Sequence, residues 1–182
     1  MDTSELAELL NKLYESKEYD LRGNFDRSLS FADGLFDRWE RARRLGFGNG
    51  TSVYNSSLIY GDVQVGDNTW IGPNTILDGT GKGLSIGSYC SVSAGVQIYT
   101  HDSVKWAISG GKAEYSHAPT SIGSRCYIGP NTVISKGVTI GDGCIIGAHS
   151  LVLKDIPSGK KAYGVPCQIQ GDVGSAERGR EN

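Results

Sequence analysis

The sequence predicts an all-β chain: a parallel β-helix of short strands stacked coil upon coil, entered through a short α-helical cap. Two observations carry that prediction. An aliphatic residue returns every sixth position, at Ile122, Ile128, Ile134, Ile140, Ile146 and Val152. A helix repeats near 3.6 and a half-buried strand near 2, so this period fits neither. It fits a coil whose apolar edge is buried only by the next coil, with like residues above one another. Glycine is also abundant, 26 of 182 residues, about twice the usual ~7%. Four of those six aliphatics are followed by Gly, which places the glycines at turns.

Taken in order, the chain opens with a helical pattern. Over residues 3 to 18, Leu6, Leu9, Leu10, Leu13 and Tyr14 fall at helical spacing behind an N-cap at Thr3 or Ser4. A polar link with Gly23 and Asn24 leads to a second helix, roughly Leu29 to Leu45, stopped by arginines and Gly46. Residues 1–48 thus read as a cap over the open edge of the first coil. The repeat runs over 50–170. It starts at Val53, Ile59, Val65, Ile71 and Leu77, then slips by three through GTGKG to Ile86, Val92 and Ile98. The slip reads as a small outward loop. Fourteen hexads in all predict between four and five coils. Residues 171–182 read as a polar tail.

Cys126 and Cys144 are eighteen residues apart, one full coil, and should stack in the small inward position, as Cys90 does in its own block. With no CxxC spacing they read as structural thiols.

The period lapses over 99–121, YTHDSVKWAISGGKAEYSHAPTS and its edges. An insertion that long inside a repeat domain is usually functional or disordered, and this one has a poor composition for disorder. It carries Tyr99, Trp106 and Tyr115 and two of the three histidines, His101 and His117. Trp106 suits either a stacking platform for a ligand or an interface anchor, and His117 either a substrate or a neighbouring subunit. His149 reads as outward-facing. The formal net charge of −2 makes no electrostatic case for nucleic acid or a membrane surface. No run approaches the ~18 apolar residues of a span, and the N-terminus lacks the order of a signal peptide. The expected location is cytoplasmic.

The IGxxxxIGxxxxI run, the loop opened by IYTHD and the VLKDIPSGKKAYGVPCQI close resemble the hexapeptide-repeat acyltransferases, in particular the maltose and galactoside O-acetyltransferase branch. That resemblance covers about residues 50 to 170. It implies a left-handed β-helix, a homotrimer with sites between subunits, and acetyl-CoA as donor to a hydroxyl or amino group of a saccharide or nucleotide-linked sugar. It implies His101 as catalytic base, with Asp102 or Glu114 orienting the imidazole, and a base is what a weakly acidic hydroxyl requires. Asn74 and Asp78 resemble acceptor-binding residues, joined by Trp106 and His117. Tyr127 and Ala148 match positions along the coenzyme arm, with Lys154, Lys160 and Lys161 as cations for its phosphates. Pro130 and Gln168 depart from the pattern, standing where relatives have a hydroxyl residue and an arginine. No metal is expected. Two rivals share the scaffold: a γ-carbonic-anhydrase-like zinc enzyme, which needs three convergent ligands, and a non-catalytic assembly module.

Overall fold

A computed structural model describes residues 2–174. The helical preface comes first: α1 (Thr3–Phe25), α2 (Phe31–Leu35) and α3 (Arg38–Arg44). Helix α1 is capped one or two residues earlier than expected, because Asp2 and Glu5 form a reciprocal capping box. It also runs through Gly23, which the sequence reading placed in a link. The second expected helix is broken in two. Phe36 turns extended and Asp37 caps a fresh start by accepting the Glu40 N–H. Gly46 then takes up a left-handed conformation just past α3, as a helix stop requires.

The solenoid follows, with short strands separated by tight turns. Its elements are β1 (Ser52–Val53), β2 (Leu58–Val65), β3 (Trp70–Ile71), β4 (Ile76–Ile86), β5 (Ser91–Val92), β6 (Gln97–Ile98) and β7 (His101–Asp102). After a helical turn, α4 (Val104–Ile108), come β8 (Ser116–His117), β9 (Thr120–Ile122), β10 (Tyr127–Ile128), β11 (Val133–Ile134) and β12 (Thr139–Ile140). The chain closes with β13 (Ile145–Ile146), β14 (Leu151–Val152), β15 (Lys160–Tyr163) and β16 (Gln168–Asp172).

Three parallel faces result. The first stacks β1, β3, β5, β10, β13 and β15, putting Val53, Ile71, Val92, Ile128, Ile146 and Ala162 in one inward column. The second aligns Ile59, Leu77, Ile98, Ile134 and Val152. The third aligns Val65, Ile86, Ile122, Ile140 and Ile156. These columns are the core, and nearly every member is buried. The helix has about six turns rather than four to five, because Ile156 and Ala162 extend the columns after the regular period ends. Cys90, Cys126 and Cys144 are all buried free thiols, as the coil spacing required. Each donates to a backbone carbonyl of the next coil, of Gly123, Gly141 and Pro157 respectively.

Both ends of the first face are covered. At the start, α3 packs on β1 with Ala42 fully buried, and Arg41 donates to the carbonyls of Tyr54 and Ser57. At the finish, β16 turns back antiparallel on β15. The expected polar tail therefore begins inside a strand, with Val173 buried beyond it. The rest of the tail, 175–182, lies outside the described residues.

Candidate active site

The site forms at the corner between the second and third faces, and the three-residue slip builds it. Strand β4 does not loop out there. It continues from the second face to the third, pairing with β2 on both sides of a register shift between Gly61 and Val63. The extra residues form a bulge, which re-aims side chains without ending the strand. Thr80 sits on that bulge. Gly81 beside it lies so close to the next coil that a Cβ would stand 2.0 Å from the Thr100 carbonyl oxygen. Its N–H donates to the Thr100 hydroxyl oxygen at 2.8 Å, and that hydroxyl donates in turn to the Asp78 carbonyl at 2.8 Å. Thr100 thereby clamps the start of the inserted loop to β4.

This clamp delivers His101 to Asp78. His101 Nδ1 lies 2.8 Å from Asp78 Oδ2, and the carboxylate is 4% exposed while the imidazole is 31% exposed. Thr80 completes the cluster. Its hydroxyl donates to Asp78 Oδ1 at 2.6 Å, its N–H donates to the same oxygen at 2.9 Å, and its Oγ1 is 3.1 Å from His101 Nδ1. Since the Thr80 hydroxyl proton points to Asp78, its oxygen faces Nδ1 as a second acceptor. Both neighbours of Nδ1 are then acceptors, which fixes the imidazole proton on Nδ1 and leaves Nε2 as the unprotonated nitrogen. A buried carboxylate, a fixed tautomer and a partly exposed ring form the pattern of a positioned general base.

The inserted loop supplies the surroundings. Strands β7 and β8 pair antiparallel with His101 opposite His117, their rings 6.0 Å apart. The Tyr115 ring lies nearly parallel to His101 at 6.0 Å, and Trp106 meets Tyr115 edge-on at 5.9 Å. Trp106, His117 and the imidazole therefore share one patch, as the composition of the loop suggested. Tyr99 donates to Gln97 at 2.8 Å. Burial, and then the negative charge of Asp78, push the Tyr99 phenol above its ordinary value.

The other sequence candidates divide. Asp102, next to His101 in sequence, turns away: its Oδ2 is 3.1 Å from Lys136 Nζ and its Oδ1 accepts the Val104 N–H at 3.0 Å. The Val104 N–H, and then Lys136, hold that carboxyl below the usual carboxylate range. Glu114 is exposed in the loop. The carboxylate that meets the imidazole is Asp78, which the sequence reading had set aside for acceptor binding. Asn74 occupies a left-handed turn at the other corner of the second face. His149 occupies a similar turn on that corner three coils later, 3.5 Å from Asn131, apart from the other two histidines. Tyr127 is exposed on the first face, stacked in register between Ser91 and Ile145. Ala148 and Lys154 are exposed on the C-terminal coils. Lys160 is engaged by Asp172 at 2.5 Å, and Lys161 lies in β15 beside it. Sequence reasoning missed Thr80. The only signal for it was the slip in the period.

Comparison with known proteins fits this fold. Residues 119–154 match the family described as bacterial transferase hexapeptide (six repeats), and residues 62–100 match the hexapeptide repeat of succinyl-transferase. Both matched segments are hexapeptide repeats, in keeping with the stacked coils. The chain is 34% identical over 116 residues to the galactoside O-acetyltransferase of Escherichia coli (strain K12), covering 64% of this chain and 47% of that one. The chain thus spans about half the length of that relative. Two solved structures share the fold. A galactoside acetyltransferase in complex with coenzyme A aligns over 93% of this chain and 84% of its own, with TM-score 0.58 and 22% identity. AntD, an N-acyltransferase from Bacillus cereus in complex with dTDP and 3-hydroxybutyryl-CoA, aligns over 78% and 93%, with TM-score 0.62 and 18% identity. Among the described residues, no helix is long and apolar enough to cross a membrane.

Proposed function

We propose that this protein is an acetyl-CoA-dependent acetyltransferase acting on a hydroxyl or amino group of a sugar, with His101 as general base. The observation that carries the reading is the Asp78–His101 pair, 2.8 Å apart at the mouth of an aromatic loop. A sugar hydroxyl does not ionise at neutral pH, so a base within hydrogen-bond reach is what the chemistry asks of the protein. His101 Nε2 takes up the proton that the acceptor sheds as it is acylated. Asp78 steadies the imidazolium that forms, and Thr80 keeps both groups in register. Tyr115 and Trp106 offer apolar ring surface against which a sugar can lie. Bound acetyl-CoA supplies the activated acetyl thioester. The residues that would hold it are Tyr127, Ala148 and Lys154 on the exposed flank of the C-terminal coils, with Lys160 and Lys161 nearby. Lys154 has no ion-pair partner among the described residues, which leaves its charge for a phosphate.

The relatives support this reading, since one is named a galactoside O-acetyltransferase and another was solved with dTDP and an acyl-CoA. Assembly as a homotrimer is part of the proposal. Its support is α1, which buries none of its residues within the chain and exposes Leu6, Leu9, Leu10 and Leu13. A leucine stripe of that kind needs a covering surface.

The test is acetyl transfer to a panel of saccharides and nucleotide-linked amino sugars, with coenzyme release measured for wild type and His101→Ala. The expected loss in kcat is about 10²–10⁴-fold, with acetyl-CoA affinity nearly unchanged. A large loss of coenzyme binding in the variant would assign His101 a structural role instead.

A further inference from the structure

The helical preface forms an open hollow that acetyl transfer does not use and that shares no residue with the His101 cluster. It lies where α1 passes α2 and α3, with a volume of about 230 Å³, walled by Phe25, Phe36 and Trp39 together with Arg27 and Arg38. Both guanidinium groups converge on one uncharged oxygen. Arg38 Nη1 donates to the Tyr54 hydroxyl at 2.9 Å and Arg27 Nη1 donates to it at 3.3 Å. Arg38 is further pinned by ring faces, its guanidinium carbon 4.2 Å from the centre of Trp39 and 5.2 Å from that of Tyr54.

Two cations held against the same phenol repel each other, and a carboxylate would normally relieve them. Among the described residues neither forms an ion pair. Of the carboxylates that line the hollow, Asp20 pairs with neither guanidinium among the described residues, and Asp33 and Asp37 are bonded elsewhere. Asp33 accepts the Ser56 N–H at 2.9 Å and the Ser30 hydroxyl at 3.2 Å, and Asp37 caps α3 through the Glu40 N–H at 2.7 Å. What remains is a forked, pre-positioned pair of donors at one end of an aromatic-walled hollow.

We propose that this cavity binds a small organic anion, a single aromatic ring carrying a carboxylate or phosphate. The acid group bridges Arg27 and Arg38, whose planar forks suit either oxyanion, and the ring lies against Trp39 and Phe36. The size sets the class, because the hollow is smaller than the ~300 Å³ at which drug-sized sites begin. Tyr54 also touches the first coil, with its ring edge-on to Trp70 at 6.3 Å and its carbonyl held by Arg41. Occupancy therefore ties the helical preface to the solenoid.

The test is calorimetric titration of the full chain with benzoate and with phenyl phosphate. Benzyl alcohol serves as the uncharged ring and inorganic phosphate as the ringless anion. At least one aromatic anion should bind about 10-fold or more tightly than either control, and raise the thermal midpoint. Arg38→Gln should weaken that binding about 10-fold, and so should Arg27→Gln. If loss of the Tyr54 contact unfolds the Arg38 variant, the more exposed Arg27 carries the test. Benzyl alcohol or inorganic phosphate binding as tightly as the aromatic anions would overturn the proposal. So would binding that Arg27→Gln leaves unchanged, or complete displacement by coenzyme A, which would assign the cavity to the acyl donor.

Discussion

Replacing Asp78 by Asn is the sharpest probe of the proposed base, because it removes a charge and almost nothing else. The side chain is isosteric, and one oxygen can still receive the Thr80 hydroxyl and N–H, which both converge on Oδ1 at 2.6 and 2.9 Å. The amide nitrogen then occupies the place of Oδ2, 2.8 Å from His101 Nδ1. An NH₂ cannot accept, so the imidazole must offer a lone pair at Nδ1 and carry its proton on Nε2. The nitrogen that faces the acceptor is thereby blocked. Loss of the correct tautomer and of a charge-assisted bond together are worth about 10²–10⁴ in kcat, which at 1.36 kcal/mol per decade is roughly 3–5 kcal/mol of barrier. Two assays read this. Steady-state transfer gives kcat, with acetyl-CoA affinity measured separately and expected to hold. Nitrogen chemical shifts of the imidazole report the tautomer in the resting protein, whatever the acceptor. A variant within about threefold of wild type in kcat, or an imidazole still protonated on Nδ1, would refute the role given to Asp78.

Four further outcomes follow from the same geometry. Thr80→Val should lower kcat by about 10-fold while Thr80→Ser restores most of it, since only the hydroxyl bridges Asp78 and His101; equal loss in both would make the methyl the important group. Gly81→Ala should cost about 2 kcal/mol or more in chemical denaturation and misplace His101, because the new methyl meets the Thr100 backbone. Ile128→Ala, at the centre of the first column and fully buried, should cost about 2–5 kcal/mol by the same measurement. Asp102→Asn should change stability in a pH-dependent way. A carboxyl held below its ordinary value stabilises the fold above the unfolded-state value, and that contribution disappears as pH falls through the folded one. Wild type should therefore melt slightly above the variant near neutral pH and match it in strong acid; a difference that grows toward acid would reverse the assignment.

The fold was legible because a stacked coil repeats its demands. Each inward column accepts one residue type, so Ile122, Ile128 and their successors announce themselves without knowledge of tertiary contacts. Where the covering is not periodic, legibility fails. The ending of α2 at Leu35 depends on Asp37 finding the Glu40 N–H, and the sixth turn depends on Ile156 and Ala162 entering columns out of step with the six-residue count. His101 could be picked out from its loop and its resemblance, but its partner could not. Adjacency favoured Asp102, whereas strand pairing selected Asp78.

That difference has a physical origin. In a β-strand successive side chains point to opposite sides, so Asp102 is turned from whatever His101 faces, and Lys136 meets it there. Register instead brings together residues about one coil apart. Asp78 follows Leu77 as Tyr99 follows Ile98, and the Thr100 hydroxyl ties the two corners at the Asp78 carbonyl. A simple six-residue turn at that corner would leave no room for Thr80. The three extra residues place a hydroxyl between carboxylate and imidazole, and the long insertion then departs one coil later from the same corner. The two breaks in an otherwise regular period are thus one device seen twice, the bulge supplying Asp78 and Thr80 and the loop supplying the imidazole they meet.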